Sequence, residues 1–330
     1  MTDSRKSKVE SRKPIVESRK SKVESRKPTS AVVGRFAPSP TGEMHLGNVL
    51  AALLSWLSAR QQGGLWRLRI EDLDPQRSRQ EYADRLMRDL EWLGLTWDGE
   101  VVYQSQRTDV YARYLQQLSH LTYPCICTRN EILAAQAPHE SDGRVVYPGT
   151  CRPNRLSTFD FRLSSTKAAT RIIVPDEVIA FEDKVYGAQA VNLASHCGDF
   201  ILRRSDGVFA YQLAVVVDDA EMGVTEIVRG RDLLLSTAQQ IYLYRLLGFT
   251  PPVYMHHPLL VNEQGQRLCK RDKAQAIGAM REHLSPEQII GKIAFAFGWI
   301  DRPESISASE LIPLFRHTDI PQNDLKIPIE

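Results

Sequence analysis

Long apolar runs are missing from this sequence of 330 residues. No stretch reaches the roughly 18 consecutive apolar residues of a membrane-spanning helix, and residues 1–30 lack the apolar segment of a secretory signal. Cysteine is also scarce, and the odd number of five favours reduced thiols or a metal site over a disulfide framework. These absences predict a cytoplasmic protein that makes no contact with a membrane.

A large excess of charge of one sign is also missing from most of the chain. Residues 1–30 contain ten Lys and Arg against four Asp and Glu, whereas the other 300 residues carry 32 basic and 36 acidic side chains. The larger part is slightly acidic, so any nucleic acid must be bound by a local basic patch or by the tail. With 42% hydrophobic residues, this part can bury the core of one large or two smaller domains.

The basic tail repeats a heptad that begins Ser-Arg-Lys, from Ser4 to Lys27. Only one position of each heptad is regularly apolar, and Pro14 and Pro28 interrupt the pattern. A coiled-coil seam is therefore excluded, and a disordered tail over residues 1–30 is predicted. Two interpretations of it stay open: a solvated tail without a specific role, or an arm that tethers RNA.

The most informative stretch runs from Gly34 to Asn48. Val32 and Val33 predict a strand, and the prolines and glycine of residues 38–42 prevent a helix until Leu46, where helical spacing begins. A strand that turns directly into a helix presents backbone N–H groups at the helix start. Such a start attracts anions, phosphate above all.

Strand and helix patterns alternate after this corner. Residues 66–71 alternate apolar and charged side chains, which predicts a strand with one buried face. Ser78 and Glu81 match a capping box, and a helix is predicted from there to Gly94. This order predicts an α/β fold with a doubly wound parallel sheet, whose ligands bind at the carboxyl ends of the strands.

Further elements are predicted in the second half of the chain. They are a strand at 171–174, a hairpin turn at 205–207, an apolar strand at 214–219 that closes on Asp218 and Asp219, a strand at 227–229, and helices at 287–297 and 308–315.

Three of the cysteines, Cys125, Cys127 and Cys151, stand in a segment with the appearance of an insertion. Three thiolates suit a tetrahedral zinc ion that takes one more ligand. On ligand chemistry alone His139 is the better fourth ligand, because imidazole is a far commoner zinc donor than phenol. Three unligated cysteines are the alternative.

Residues 34–48 resemble the first signature of class I aminoacyl-tRNA synthetases. In that family a strand end leads into a His-x-Gly-His loop whose imidazoles contact the phosphates of ATP. Here the motif reads His45-Leu46-Gly47-Asn48, with Asn48 in place of the second histidine. The residues before it are similar to the glutamate branch of the class. The resemblance implies that His45, Gly47 and Asn48 bind ATP.

The chain around Lys270 resembles the second class I signature, Lys-Met-Ser-Lys-Ser. Arg267 replaces the first lysine, while Cys269 and Arg271 stand where serines are usual. In the family this lysine stabilises the negative charge that develops on the triphosphate. The resemblance therefore implies catalytic roles for His45 and Lys270, ATP binding by Lys270, and Mg²⁺ that accompanies ATP without an assignable ligand.

Free glutamate carries two carboxylates and one ammonium group, so a matching pocket needs two cations and one anion. Arg35, Arg229 and Glu71 provide that set, since guanidinium groups grip carboxylates at two points, and Tyr211 adds a neutral hydroxyl. The glutamate-binding residues that the resemblance implies are Arg35, Phe36, Ala37, Pro38, Ser39, Glu71, Tyr211 and Arg229.

The resemblance also implies one structural Zn²⁺ ion and a domain plan. For the fourth zinc ligand it points to Tyr147 beside the three cysteines, and we follow it over His139. The plan begins with the tail (1–30) and the first half of a Rossmann-type catalytic domain (31–121). An inserted acceptor-type subdomain with the zinc site (122–197) separates this half from the second catalytic half with the lysine loop (198–272). A helical segment (273–330) follows, and no anticodon-binding domain is expected.

Within the glutamate branch, the chain resembles the glutamyl-queuosine tRNA(Asp) synthetases over about residues 31–330. That family attaches glutamate to queuosine in the anticodon loop of tRNA(Asp), and it activates glutamate without tRNA, whereas conventional glutamyl-tRNA synthetases typically need their tRNA. The resemblance implies L-glutamate, ATP and tRNA as substrates, and we expect a monomer. The alternatives are a truncated glutamyl-tRNA synthetase that charges a 3′ end, and a non-catalytic RNA-binding or regulatory protein on a synthetase fold.

Overall fold

Strands and helices alternate through the part of the chain that the structure describes, which is residues 31–128, 130–131, 146–153, 168–262, 265 and 276–327 of a computed structural model. The strands are β1 (Val33–Phe36), β2 (Leu65–Ile70), β3 (Val102–Tyr103), β4 (Thr122–Cys125), β5 (Ala169–Ile172), β6 (Val178–Asp183), β7 (Gly187–Asn192), β8 (Ile201–Arg203), β9 (Glu226–Gly230) and β10 (Val253–His257). The helices are α1 (Leu46–Gln61), α2 (Gln80–Trp92), α3 (Thr108–Gln117), α4 (Leu193–His196), α5 (Tyr211–Glu221), α6 (Ser236–Leu246), α7 (Ile277–Met280), α8 (Pro286–Ala296) and α9 (Ala308–Leu311).

The predicted tail of residues 1–30 and the loop around Lys270 lie outside the described residues. No helix within the described ranges is long and apolar enough to cross a membrane.

A parallel sheet runs through the centre of the fold. β1 pairs with β2 and β2 with β3, while β9 pairs with β10 and β10 with β6, all in parallel. Thr225, directly before β9, joins the two groups: its hydroxyl accepts the N–H of Val33 at 2.9 Å and its N–H donates to the Val33 carbonyl at 2.9 Å. The predicted parallel sheet is confirmed, and the strand order changes direction between β1 and β9, where such sheets bind ligands.

Helices α1 and α5 cover opposite faces of this sheet. Gly34 lies against α1, where a Cβ on it would be 3.2 Å from Cβ of Ala59. The next residue, Arg35, faces α5, and its Nε lies 3.4 Å from Oδ1 of Asp219. Because successive side chains of a strand point to opposite faces, each strand end is enclosed on both sides.

The prediction that residues 66–71 have a single buried face is wrong. Trp66 of β2 donates its indole N–H to Ser55 of α1 at 2.9 Å. On the other face Arg69 is fully buried and its Nη1 lies 2.5 Å from Oδ1 of Asp219 on α5. The charge at Arg69 therefore marks a buried ion pair, whereas Arg67 is half-buried and donates to the Asp98 carbonyl at 2.9 Å.

The predicted strand at 214–219 is also wrong, because these residues lie within helix α5. A short run of valines is equally typical of a buried strand and of a buried helix, and periodicity alone does not separate them. Seven consecutive residues of α5, from Leu213 to Asp219, are buried. The helix also buries Asp218 and Asp219, which the strand prediction placed at an exposed end.

The predicted capping box at Ser78 and Glu81 is wrong as well. Helix α2 begins at Gln80 with Arg79 in the N-cap position, so Glu81 is the second helical residue instead of the third. The Ser78 hydroxyl makes no hydrogen bond within the described part of the chain.

Several other elements are confirmed. Helix α1 begins at Leu46, α2 gives way to Gly94 with a φ of +73°, the 205–207 turn contains Gly207 with a φ of +92°, and β9 and α8 form as predicted. The strand predicted at 171–174 is β5, two residues earlier, and the helix predicted at 308–315 is shorter, ending at Leu311.

A separate antiparallel sheet carries two of the cysteines at its edge. β5 pairs with β4 on one side and with β8 on the other. Cys125 is the last residue of β4 and Cys127 follows it. The hairpin of β6 and β7 belongs elsewhere, since β6 joins the parallel sheet beside β10.

Candidate active site and metal cluster

A cavity of about 580 Å³ lies at the carboxyl ends of β1 and β9. It is lined by every predicted amino-acid and ATP residue that the structure describes. These are Arg35, Phe36, Ala37, Pro38, Ser39, His45, Gly47, Asn48, Glu71, Tyr211 and Arg229. Lys270 lies outside the described residues, and the role of each residue stays a prediction.

The start of α1 is closed by a capping box between His45 and Asn48. The Nδ1 atom of His45, the N-cap residue, accepts the N–H of Gly47 at 3.1 Å, and Asn48 Oδ1 accepts the N–H of His45 at 3.1 Å. Since Nδ1 accepts, the proton of the neutral imidazole is on Nε2, which is a donor. The helix start therefore combines a positive dipole end with an imidazole donor, which suits a phosphate.

Glycine at position 47 leaves room for this imidazole. A Cβ at Gly47 would lie 2.9 Å from Cε1 and 3.0 Å from Nδ1 of His45. These distances are too short for any larger residue unless the ring moves. The glycine of the signature is thus explained by contact with the histidine two residues before it.

Arg35 is held at the base of the cavity between two elements. Its Nη1 donates to the carbonyl of Val228 on β9 at 3.2 Å, and its Nε lies 3.4 Å from Asp219 Oδ1. The side chain is buried, with 5% of its surface exposed. The guanidinium group is therefore fixed by protein while one edge of the residue still lines the cavity.

Glu71 is held in the cavity by a buried arginine that the sequence did not reveal. Nη2 of Arg69 lies 3.1 Å from Oε1 of Glu71, and Nη1 of Arg69 lies 2.5 Å from Asp219. Burial by itself would lower the pKa of Arg69, but Asp219, Glu71 and Asp218 outweigh it and raise the pKa well above its ordinary value. Arg69 is thus a permanent cation between these carboxylates.

The pKa values of Glu71 and Asp219 shift in opposite directions. Burial raises the pKa of Glu71 above its ordinary value, and the attraction of Arg69 offsets only part of that rise. For Asp219 burial also raises the pKa, but the attraction of Arg69 and Arg35 is stronger and lowers the pKa below its ordinary value. Asp219 is therefore the fixed anion that orients both arginines.

Asp218 anchors α5 to the neighbouring helices. Its carboxylate accepts hydrogen bonds from Gln104 at 2.7 Å, Arg107 at 2.6 Å and Tyr111 at 2.8 Å. These contacts satisfy a fully buried charge. The pair of carboxylates at the end of the apolar run was visible in the sequence, but its structural role was not.

Arg229, at the end of β9, is surrounded by hydrogen-bond acceptors. Nε donates to His256 Nε2 at 3.0 Å, Nη1 to Gln240 Oε1 at 2.8 Å, and Nη2 to Thr237 Oγ1 at 2.8 Å and to the Leu233 carbonyl at 3.4 Å. A guanidinium has five N–H donors. One Nη1 donor thus has no partner in the described part of the chain, and the expected two-point grip on a carboxylate requires one of these bonds to break.

Tyr211 is the first residue of α5 and opens into the same cavity. It keeps 37% of its surface exposed, because one side of the ring faces the empty space. Burial of its hydroxyl end, with the Glu71 carboxylate nearby, raises the pKa of the phenol above its ordinary value. The hydroxyl is therefore a neutral donor at physiological pH.

The three predicted cysteine ligands meet beside the antiparallel sheet. The Sγ atoms of Cys125, Cys127 and Cys151 all lie within 4.8 Å of one another. The Tyr147 hydroxyl lies 3.4 Å from Sγ of Cys125 and 3.7 Å from Sγ of Cys127. Four donor atoms at such separations fit a tetrahedral zinc ion. His139, the alternative fourth ligand, lies outside the described residues.

The closeness of the three thiols also favours the binding of a metal ion. Burial raises the pKa of Cys127 to about 11, and both the hydrogen bond with Cys151 and the nearby charge of Cys125 add to the rise. A divalent ion removes the repulsion between neighbouring thiolates and takes the thiols as thiolates. Arg171 stacks on the Tyr147 ring, with its Cζ atom 3.7 Å from the ring centroid, and so holds the phenol beside the thiols.

Residues 31–322 match the family described as tRNA synthetases class I (E and Q), catalytic domain. The chain is 46% identical over 311 residues to a glutamyl-Q tRNA(Asp) synthetase of Nitratidesulfovibrio vulgaris, covering 90% of this chain and 96% of the relative. It is 48% identical over 294 residues to a glutamyl-Q tRNA(Asp) synthetase of Deinococcus radiodurans, covering 86% and 96%.

A solved structure is similar to most of the chain. The crystal structure of a glutamate tRNA ligase from Elizabethkingia meningosepticum in complex with its amino acid superposes with a TM-score of 0.78 and 30% identity. The match covers 91% of this chain and 68% of that chain.

Proposed function

The chain belongs to the glutamyl-Q tRNA(Asp) synthetases, which carry the class I catalytic domain of the E and Q tRNA synthetases, and from this we propose its reaction. It activates L-glutamate with ATP to glutamyl-adenylate and transfers the glutamate to queuosine in the anticodon loop of tRNA(Asp). One observation carries the proposal. A single cavity joins a helix start suited to phosphate with two arginines and a carboxylate suited to an acidic amino acid.

The proposed ATP subsite is the start of α1. His45 donates from Nε2, and the positive end of the helix dipole attracts the phosphates. Asn48 uses Oδ1 for the cap, so its amide nitrogen is left as the group that donates to a ligand. Lys270, on the second signature loop, is proposed to stabilise charge on the leaving pyrophosphate.

The proposed glutamate subsite lies between β1 and β9. Arg35 and Arg229 bind the two carboxylates, Glu71 binds the ammonium group, and the Tyr211 hydroxyl donates a further hydrogen bond. Residues 36–39 line the same cavity and are proposed to contact glutamate as well. Arg69 and Asp219 do not line the cavity, yet they hold Glu71 and Arg35 in place.

In the first reaction no side chain forms a covalent bond with the substrates. An oxygen of the α-carboxylate attacks the α-phosphorus of ATP, the bond from phosphorus to the bridging oxygen breaks, and pyrophosphate leaves. In the second reaction a hydroxyl oxygen of queuosine attacks the acyl carbon, the bond from that carbon to the phosphate oxygen breaks, and AMP and the hydroxyl proton are released. The side chains contribute position and charge stabilisation in both. Mg²⁺ bound to ATP neutralises phosphate charge when present.

A structural zinc ion is proposed at Cys125, Cys127, Cys151 and Tyr147. The contacts of these four residues support the assignment, and the ion would tie the end of β4 to the 147–151 turn. The site belongs to the proposed inserted subdomain (122–197), between catalytic halves at 31–121 and 198–272. None of the four residues lines the cavity, so a bound ion would support the structure and not the glutamate chemistry.

The test of the acceptor uses radiolabelled glutamate and three RNAs. We expect the label on queuosine-containing tRNA(Asp), and none on unmodified tRNA(Asp) or on tRNA(Glu). Label on tRNA(Glu) would instead support a conventional glutamyl-tRNA synthetase. Absence of label from all three, in a protein that also forms no adenylate, would support the non-catalytic RNA-binding alternative.

A further inference from the structure

We propose that Asp183 and His256 are positioning residues for Arg229, whose direction toward the cavity they fix through two consecutive hydrogen bonds. This inference rests on the proposed function, in which Arg229 binds a carboxylate of glutamate. Neither Asp183 nor His256 lines the cavity, so any effect they have on the substrate passes through Arg229.

The three side chains form an unbroken buried series. Oδ2 of Asp183 lies 2.6 Å from Nδ1 of His256, and Nε2 of His256 lies 3.0 Å from Nε of Arg229. Asp183 is 1% exposed, His256 is 0% exposed and Arg229 is 5% exposed. Water therefore does not compete for these bonds, and each partner is held by the next.

Only one arrangement of protons satisfies both bonds. A guanidinium can only donate, so Nε2 of His256 accepts from Arg229 and carries no proton. The single proton of the neutral imidazole is then on Nδ1, which donates to the Asp183 carboxylate. Burial lowers the pKa of His256 to about 4, so the imidazole is neutral at physiological pH. Asp183 thus selects the tautomer that accepts from Arg229.

The backbone in turn fixes the Asp183 carboxylate. Its other oxygen, Oδ1, accepts the N–H groups of Val185 and Tyr186 at 3.0 Å each, in the turn between β6 and β7. The residue is also paired with Tyr254 in the parallel register of β6 and β10. The hairpin N–H groups therefore hold Oδ1, while Oδ2 accepts from the His256 ring and, at 3.2 Å, from the His256 backbone N–H.

Each of the three guanidinium nitrogens of Arg229 donates a hydrogen bond to a neighbouring side chain. Nε is bound to His256, Nη1 to Gln240 and Nη2 to Thr237. Without the bond to His256 the group can turn about its long side chain and lose the edge that lines the cavity. Prior fixation of a donor reduces the entropy lost when the substrate binds.

The test compares variants by ATP–pyrophosphate exchange, with glutamate and ATP varied in turn. His256→Leu removes the acceptor, and we expect the KM for glutamate to rise about tenfold or more while the KM for ATP stays within about twofold. His256→Gln retains an acceptor and is expected to recover part of that loss. Asp183→Asn keeps the shape of the side chain but replaces one accepting oxygen with an NH₂ group. That group then faces either the hairpin N–H groups or the His256 ring. We expect a rise in the KM for glutamate that is smaller than the rise in His256→Leu.

Met255→Leu is the matched control, because Met255 is a buried neighbour of His256 whose side chain points to the opposite face of β10. It is expected to keep both KM values within about twofold of the wild type. An equal rise in both KM values for His256→Leu, or no recovery in His256→Gln, would indicate a purely structural role and overturn the inference. If His256→Leu does not fold, the His256→Gln and Asp183→Asn proteins decide the question by the same two constants.

Arg229→Lys separates this inference from the proposed function. A raised KM for glutamate in Arg229→Lys, with no change in the His256 and Asp183 variants, would overturn the positioning role and leave the function standing. A KM for glutamate that Arg229→Lys also leaves unchanged would remove Arg229 from the glutamate subsite, and the inference would fall with it.

Discussion

Asn48 Oδ1 accepts the backbone N–H of His45 at 3.1 Å, and this bond closes the capping box of α1. Asn48 stands where class I synthetases have their second signature histidine. The departure from the signature is therefore a residue that holds the first histidine in place. Because Gly47 donates to Nδ1 of His45, the imidazole presents Nε2–H to a ligand.

Gly47→Ala is predicted to weaken ATP binding by displacing this imidazole. The new Cβ would lie 2.9 Å from Cε1 of His45, so the ring has to turn away from its bond to the helix. We expect the KM for ATP in pyrophosphate exchange to rise about tenfold, with the KM for glutamate within about twofold. Because the helix propensity gained with alanine offsets the lost cap bond, the thermal midpoint should change little. An unchanged KM for ATP would remove the His45 imidazole from the phosphate site.

Glu71→Gln and Lys270→Ala are each predicted to lower the exchange rate about tenfold or more, the loss of roughly 1.4 kcal/mol expected for one charge-assisted contact. Glu71→Gln keeps the shape of a residue bound to Arg69 and removes the charge that faces the ammonium group. Exposed Glu310→Gln is the control and should match the wild type. Wild-type exchange in either variant would remove that residue from the site.

Asp219→Asn is predicted to destabilise the fold by about 3–5 kcal/mol, the range for breaking a buried ion pair. Asp219 is fully buried between Arg69 and Arg35, and its loss leaves Arg35 without a carboxylate partner and Arg69 with Glu71 and Asp218 alone. The free energy of unfolding in urea measures the effect. Asp206→Asn is the matched control: its pair with Arg204 is exposed, so the loss should stay below about 1 kcal/mol. Equal losses in the two variants would contradict the role given to Asp219.

Tyr147→Phe is predicted to lose zinc, whereas His139→Ala retains it. The Tyr147 hydroxyl lies within 3.7 Å of two of the three thiols, and its removal leaves a tetrahedral ion with three protein ligands. Zinc content after dialysis against a chelator measures the difference. Tyr123→Phe is the control, since that hydroxyl is bonded to Asp199 and not to a thiol. Full zinc retention in Tyr147→Phe would overturn the choice of ligand.

Stability is predicted to fall as the pH drops from 7 to 5 because of His256. The pKa of its imidazole is about 4 in the folded protein, below the ordinary value near 6.5. Between these values the unfolded chain binds a proton that the folded chain excludes, so stability rises with pH across this window and is lost as pH falls. The shift corresponds to a loss of about 2 kcal/mol between pH 7 and 5.

Urea unfolding of the wild type and of His256→Gln at the two pH values isolates this contribution. Asp183 remains ionised throughout, because the hydrogen bond from His256 and the hairpin N–H groups outweigh its burial and lower its pKa below the ordinary value. The variant should therefore lack the extra pH dependence. The same loss in both proteins would show that His256 is not the group responsible.

Much of the fold and the cavity followed from local patterns. The corner at residues 38–42 and the helix start at His45 are set by proline, glycine and neighbouring residues, so the sequence alone reveals them. Parallel strand ends meet at one edge, which is why Arg35 and Glu71 were expected near each other. The family motifs then added Tyr211 and Arg229, which the structure brings to the same cavity.

The residues that were missed depend on contacts far apart in the chain. Arg69 was read as solvent-facing because its alternation with apolar residues does not show that α5 covers the second face. Asp219 was assigned to a strand end because a valine run suits either a buried strand or a buried helix. Asp183 and His256 carry no motif, and only the pairing of β6 with β10 brings them together.

Glutamate-dependent ATP–pyrophosphate exchange, run with and without tRNA, tests the central claim most directly. The proposed function predicts exchange that depends on glutamate and proceeds without any tRNA, through the cavity that contains His45, Arg35 and Glu71. Exchange that appears only when tRNA is added, or no exchange under either condition, would contradict it.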